Sequence, residues 1–233
     1  MEFQRKGPLT YLNFLCHFAF FLFGIACKDS ESLRPDRPNI VIVFTDDQGY
    51  GDLGSFGAVD FQTPHIDQMA ANGLRFTSFY AAQAVCSASR AGLLTGCYPN
   101  RIGITGALMP WATHGLADSE ITIAEMLRPL GYATAAFGKW HLGHLPSFLP
   151  LQHGFDEYFG LPYSNDMWPV DFDGAPISDS THRKHRHPTL PLIEGSETIE
   201  EITTLEQQNL LTTRYTEKAV DFNRIHKQQP FFL

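Results

Sequence analysis

The run from Asn39 to Thr45 constrains this chain more than any other feature, because it ends on two adjacent carboxylates, Asp46 and Asp47. Ile40 to Phe44 is continuously apolar and rich in β-branched residues, which suits a strand covered on both faces. Such a strand needs a sheet with helices on either side, and the following sequence offers them. Thr63-Pro64 opens a helix with Ile66, Met69 and Ala70 at helical spacing and Gly73 at its end. Leu74 to Tyr80 alternates and predicts a second strand. Ser87 to Thr95 predicts a short helix stopped by Gly96. Thr122 and Glu125 form a capping box for a helix to about Arg128, with Pro129 and Gly131 beyond it. Tyr132 to Phe137 predicts a third strand. Leu205 to Lys227 places Leu210, Leu211, Tyr215, Ala219, Val220 and Ile225 mostly on one helical face, and Phe231 to Leu233 begins another apolar run. The alternation implies an α/β fold with a mainly parallel central sheet flanked by helices.

Composition narrows the function classes. A net charge of -8 argues against a nucleic-acid binder held by a basic face. With 43% hydrophobic residues the chain is not a disordered polymer, and no stretch suits a polytopic membrane protein. Four cysteines do not make a disulfide scaffold. Residues 1–27 carry Arg5 and Lys6 ahead of an apolar core and small residues at Gly24 and Ala26, the pattern of a secretory signal rather than a stable membrane span. Cys27 after Gly24-Ile25-Ala26 also resembles a bacterial lipoprotein site, so periplasmic or extracellular export is expected, with lipidation at Cys27 as a variant. Residues 28–37 are a polar linker, with Pro35 inside it and Pro38 directly after it. No Asn-X-Ser/Thr sequon occurs.

In parallel sheets chemistry collects at the carboxyl ends of strands, and three features fall there. Asp46 and Asp47 at a bend can turn toward one point and hold a hard divalent cation, or simply form a polar turn with Gln48-Gly49. Cys86 precedes a short helix whose free amides favour an anion or thiolate, and Arg90 lies one turn on; a buried small cysteine fits equally. Lys139 and His141 share a face if the chain stays extended, with Trp140 turned into packing. They present an ammonium and a titratable imidazole together, or are a surface lysine and a satisfied histidine.

Taken together, these features resemble the type I sulfatases, the formylglycine-dependent arylsulfatase branch of the alkaline-phosphatase-like superfamily. Four stretches carry the resemblance, in family order across residues 38–233: Pro38-Asn39 through Thr45-Asp46-Asp47-Gln48-Gly49-Tyr50-Gly51-Asp52; Cys86-Ser87-Ala88-Ser89-Arg90 with Leu93-Leu94-Thr95-Gly96; Gly131-Tyr132-Ala133-Thr134 into Gly138-Lys139-Trp140-His141-Leu142-Gly143; and Gly154-Phe155-Asp156 with Leu161-Pro162-Tyr163-Ser164. The resemblance implies that a maturating enzyme oxidises Cys86 to formylglycine, whose hydrate attacks the sulfate sulfur and later expels sulfate. It implies one calcium ion held by Asp46, Asp47 and residue 86, Arg90 beside the nucleophile, Lys139 and Ser164 on the substrate, and His141 in proton transfer. A sulfated small molecule or glycan would be the substrate.

Two residues depart from the family pattern within the modification motif. Ala88 stands where proline is common, and Cys97 stands where arginine usually follows Leu-Thr-Gly. Family members also carry further metal ligands, an Asp-Asn pair, with another His and Lys, downstream of a strand like Pro230 to Leu233, so the chain is expected to be the N-terminal portion of a longer catalytic domain with little turnover of its own. His182 to His187, between Pro176 and Pro188, lacks spaced carboxylates or cysteines and is expected to be a solvated loop that lines the substrate cleft. Two other functions fit parts of the sequence: phosphate or phosphonate ester hydrolysis by the same residue set, and non-catalytic binding of sulfated glycans.

Overall fold

Small and β-branched residues set the middle of the sheet. Ala133–Lys139 (β1) carries Ala133, Thr134 and Ala135, whose short side chains let neighbouring elements approach closely. The computed structural model describes residues 37–233, so the candidate signal 1–27, the lipidation site Cys27 and nearly all of the linker lie outside the described residues. Residues 39–233 form one compact unit. β1 lies between Glu157–Leu161 (β2) and Phe231–Phe232 (β5), both parallel to it. Leu190–Glu194 (β3) runs antiparallel to β2, and Glu197–Ile202 (β4) runs antiparallel to β3, giving the order β4-β3-β2-β1-β5. The sheet is thus mixed and parallel at its centre.

Five helices accompany the sheet among the described residues. Pro64–Asn72 (α1) starts on its proline, as expected, but buries none of its residues. Cys86–Thr95 (α2) buries Ser87, Ala88 and Ala91 and is closed by Gly96 at φ 68°. Ile123–Leu127 (α3) opens with the expected reciprocal cap: the Thr122 N–H donates to Glu125 Oε2 at 2.8 Å, and the Glu125 N–H to Thr122 Oγ1 at 3.2 Å. The helix expected over 205–227 is broken into Leu205–Asn209 (α4) and Leu211–Ile225 (α5), because Leu210 closes the first turn. Its inward face is Leu211, Tyr215 and Phe222; Leu210, Val220 and Ile225 point outward. Phe222 packs edge-on against Phe137 and Phe231 at 6.0 and 5.8 Å between ring centres, fixing α5 across β1 and β5. A second cluster gathers Trp140, Leu142, Leu149, Phe155, Tyr158 and Phe232.

Three expectations need correction, and one element was not foreseen. The segment from Ile40 extends the sheet beyond β5 through bonds from the Ile40 N–H to Phe231 O (2.9 Å), from Ile42 N–H to Leu233 O (2.7 Å) and from Leu233 N–H to Ile40 O (2.9 Å). Only its Ile40 and Ile42 side packs on the core; Val43 is 81% exposed, so burial on both faces does not hold among the described residues. Leu74 to Tyr80 is not a strand: no described strand pairs with it, and Leu74, Phe76, Phe79 and Tyr80 are exposed. Alternation alone makes no strand without a ladder partner. The hairpin β3–β4 went unforeseen, since Pro191 and the glutamates of an edge strand hide its pattern. The basic tract is only partly solvated, because Lys184 is 2% exposed and its ammonium donates to Val170 O at 3.0 Å.

The β1–β2 ladder places Gly138 opposite Gly160, and a Cβ on Gly160 would collide with the Gly138 carbonyl and amide. Neither group can move without breaking the central ladder. Gly160→Ala is therefore expected to destabilise the full-length protein by about 1–3 kcal/mol in urea unfolding, the usual cost of overpacking. Gly106→Ala, where added volume meets open space, should stay within about 0.5 kcal/mol. Equal stabilities for the two variants would contradict this account of the ladder.

Candidate active site

The segment from Ile40, β1 and β2 run parallel in one sheet, with β5 between the first two, so their carboxyl ends open at one edge. Asp46 follows the first, Lys139 ends the second, and Ser164 follows the third. These three meet. The Lys139 ammonium donates to Asp46 Oδ2 at 2.5 Å and to Ser164 Oγ at 3.2 Å. Lys139 itself is largely enclosed, whereas the Asp46 side chain is 44% exposed. Burial alone would raise the Asp46 carboxyl, but the Lys139 hydrogen bond and charge, with Arg90 and His141 behind it, outweigh that and hold it below its ordinary value.

Cys86 is the first residue of α2 rather than the residue before it, and it is half-buried. Val85 offers no side-chain cap, so the helix's first amides face this end without one. Arg90, one turn along, is mostly buried. Its Nη1 donates to the Lys139 carbonyl at 2.6 Å, and its plane lies over the Phe44 ring at 5.3 Å. Its Nε is buried without a partner. Burial lowers the Arg90 pKa, while the charges of Asp46, Cys86 and Tyr158 oppose this; a guanidinium remains charged regardless. Cys97 lies just past the other end of α2, with its N–H on Thr95 Oγ1 at 3.1 Å. About 15 Å of helix separates the two cysteines, too far for a disulfide.

The chain does not stay extended through Lys139-Trp140-His141. His141 adopts φ 58°, turning the backbone out of β1, so the expected shared strand face is replaced by a bend. Trp140 does turn into packing, its Nε1 donating to Phe148 O at 2.7 Å. His141 is fully buried, with Nε2 2.8 Å from Leu108 O. A carbonyl oxygen can only accept, so Nε2 carries the proton and Nδ1 keeps its lone pair. That Nδ1 is buried without a partner. The Leu108 N–H in turn donates to the buried Ser87 Oγ at 2.9 Å. The backbone of one residue, Leu108, thus ties residue 87, next to Cys86, to His141. Sequence reasoning missed Leu108 and Ser87; a backbone clamp leaves no side-chain signature, although Ser87 lay inside a motif already singled out.

Asp47 is exposed and sits at φ 52°, which supplies the bend after the strand. The structure does not gather a full metal shell: among the described residues no three acidic, histidine or cysteine side chains are grouped to hold an ion. Asp46 and Asp47 offer the hard oxygens that calcium takes, but two carboxylates fill only part of its six to eight positions.

The His141 pKa falls to about 4, chiefly because burial penalises the charged ring; the Leu108 bond and Asp46 oppose this, and Lys139 and Arg90 add to it. The unfolded ring titrates near 6.5, roughly the model-peptide value. Between these two values the unfolded chain binds a proton that the folded chain does not, so stability falls as pH drops through the window. The loss from this group is complete below the folded pKa and amounts to about 3 kcal/mol. Urea unfolding across this range should show a shallower pH dependence in His141→Gln. An unchanged slope would contradict a neutral, buried His141.

Comparison with known proteins agrees with this geometry. Residues 38–233 match the family model described as Sulfatase. Arylsulfatase G of Rattus norvegicus is 42% identical over 206 residues, covering 83% of this chain and 39% of that protein. The chain therefore spans well under half the length of such a relative. Among solved structures, PsFucS1 sulfatase from Pseudoalteromonas sp. superposes with a TM-score of 0.74 at 26% identity, covering 98% of this chain and 47% of that one. Ps i-CgsB in complex with k-i-k-neocarrahexaose gives a TM-score of 0.67 at 30% identity, covering 84% and 44%. With a family model matched across residues 38–233, the chain belongs to the sulfatase family.

Proposed function

We propose that the full-length protein carrying this chain hydrolyses sulfate monoesters, with Cys86 converted to formylglycine by a maturating enzyme after export. The observation that carries this reading is the convergence of Lys139, Asp46 and Ser164 at the sheet edge served by α2 and His141. Asp46 and Asp47 would supply part of a calcium shell, and the ion would polarise the sulfate. The hydrated aldehyde at residue 86 would supply the nucleophilic oxygen.

The remaining work falls to this chain's own side chains. Lys139 is a mostly enclosed ammonium already held between a carboxylate and a hydroxyl, so it can exchange those partners for sulfate oxygens. Ser164 positions that ammonium and offers a further donor. Arg90 contributes a fixed positive charge, its Nη1 spent on the Lys139 carbonyl and its Nε still able to donate. His141 is neutral near pH 7, and its Nε2–H is locked on Leu108, so Nδ1 is the atom that can take a proton. The substrate class is a sulfated small molecule or sulfated sugar, in keeping with the oligosaccharide bound by Ps i-CgsB.

Lys139→Ala in the full-length, matured protein is expected to lower kcat/KM for an aryl sulfate by about 10²–10³, the usual cost of removing a charged donor from an anionic transition state. Cys86→Ser in a host whose maturation system acts on cysteine should abolish turnover. Steady-state kinetics beside the same measurements on an aryl phosphate check both. Full activity in either variant, or preference for the phosphate ester, would overturn the sulfate reading.

A further inference from the structure

The basic tract is packed into the fold rather than loosely hung from it. Arg183–Arg186 forms a short turn pinned from two sides. Lys184 inserts under the loop that follows β2, its ammonium on Val170 O at 3.0 Å and over the Phe172 ring at 4.3 Å. That same loop begins with Ser164, whose hydroxyl is on Lys139. On the other side the buried His187 ring lies 5.6 Å from the Trp111 ring. Trp111 is three residues beyond Leu108, whose backbone N–H and C=O are bonded to Ser87 and His141 respectively. The tract is therefore anchored both to the loop that begins at Ser164 and to the segment that carries Leu108 and Trp111.

The anchors leave a distinct set of groups outside. Arg183 and Arg186 are exposed, and among the described residues neither forms an ion pair. The nearby acids are otherwise engaged or offset: Asp179 accepts from the Thr181 N–H and hydroxyl at 2.8 and 2.7 Å, and Asp166 lies toward His187. Trp111 is 55% exposed and offers a flat apolar face. In a chain of net charge -8, two guanidiniums without an ion pair, on the turn whose His187 ring lies against an exposed indole, are a local exception. Guanidiniums pair bidentately with planar or tetrahedral oxyanions, and an indole face suits the C–H side of a sugar ring.

We propose that Arg183, Arg186 and Trp111 form a second anion-binding rim that engages an uncleaved sulfate on a neighbouring sugar, so that the preferred substrate is a multiply sulfated glycan chain. This deepens the sulfate-ester reading and rests on it. The rim contributes binding to the long substrate and nothing to the reacting centre.

The test compares the full-length matured protein with Arg183→Gln/Arg186→Gln on two probes, a heparin-derived hexasaccharide and a small aryl sulfate. KM for the hexasaccharide should rise about tenfold and its salt dependence should weaken, as expected for two lost ionic contacts. Aryl sulfate kcat/KM should stay within about twofold. Arg183→Lys/Arg186→Lys, which keeps the charge, should recover most of the hexasaccharide affinity. Titration calorimetry of hexasaccharide binding decides the rim independently of turnover: if the parent protein cleaves neither probe, the hydrolase reading fails while a tenfold weaker Kd in the glutamine variant still supports the rim. Unchanged hexasaccharide KM and Kd overturn the proposal, and so does an equal loss on both probes.

Discussion

Because β1 runs parallel to β2, to β5 and to the segment from Ile40, four carboxyl ends open at one edge of the sheet. That single topological fact brings Asp46, Lys139 and Ser164 together from positions 93 and 25 residues apart along the chain. The ladder holding them is tight where β1 meets β2: Gly138 faces Gly160 with no room for a side chain between the backbones. Immediately past it the chain leaves the strand, and His141 at φ 58° swings into the interior while Lys139 stays at the edge. The close approach, the site lysine and the bend lie within the four residues from Gly138 to His141.

Electrostatics at that edge form one linked set. Lys139 holds Asp46 ionised; Arg90, bonded to the Lys139 carbonyl, adds positive charge from beneath; and both help keep His141 neutral. Burial is the dominant cost for Arg90 and His141, and two of their nitrogens, Arg90 Nε and His141 Nδ1, have no partner. Unpartnered buried polar atoms are expensive in a purely structural role. At the proposed site the Arg90 Nε–H would donate to an oxyanion substrate, whereas the His141 Nδ1 lone pair would accept from a hydroxyl at residue 86.

Much of this was legible beforehand. The Thr122–Glu125 cap, the stop at Gly96, the strand leading to Lys139 and the burial of Trp140 follow from local chemistry acting within a few residues. What failed depended on partners far away in sequence. Leu74 to Tyr80 alternates like a strand yet has nothing described to pair with, and Val41 and Val43 have nothing described to cover them. The His182–His187 tract was expected to be solvated from its charge, but Lys184 finds a carbonyl and an aromatic face fourteen and twelve residues back. Within the site the side chains were named from motifs, whereas the Leu108 clamp was hidden because a peptide group carries no identity in the sequence.

The central claim is that residue 86, at the start of α2, is the nucleophile's position. Tandem mass spectrometry of the peptide containing residue 86 tests it most directly, using full-length protein from a host that matures a control sulfatase. The account predicts an aldehyde in place of the thiol. An intact Cys86 thiol, with the control converted in the same cells, would contradict it and turn attention to Cys97 and to a non-catalytic role for the sheet edge.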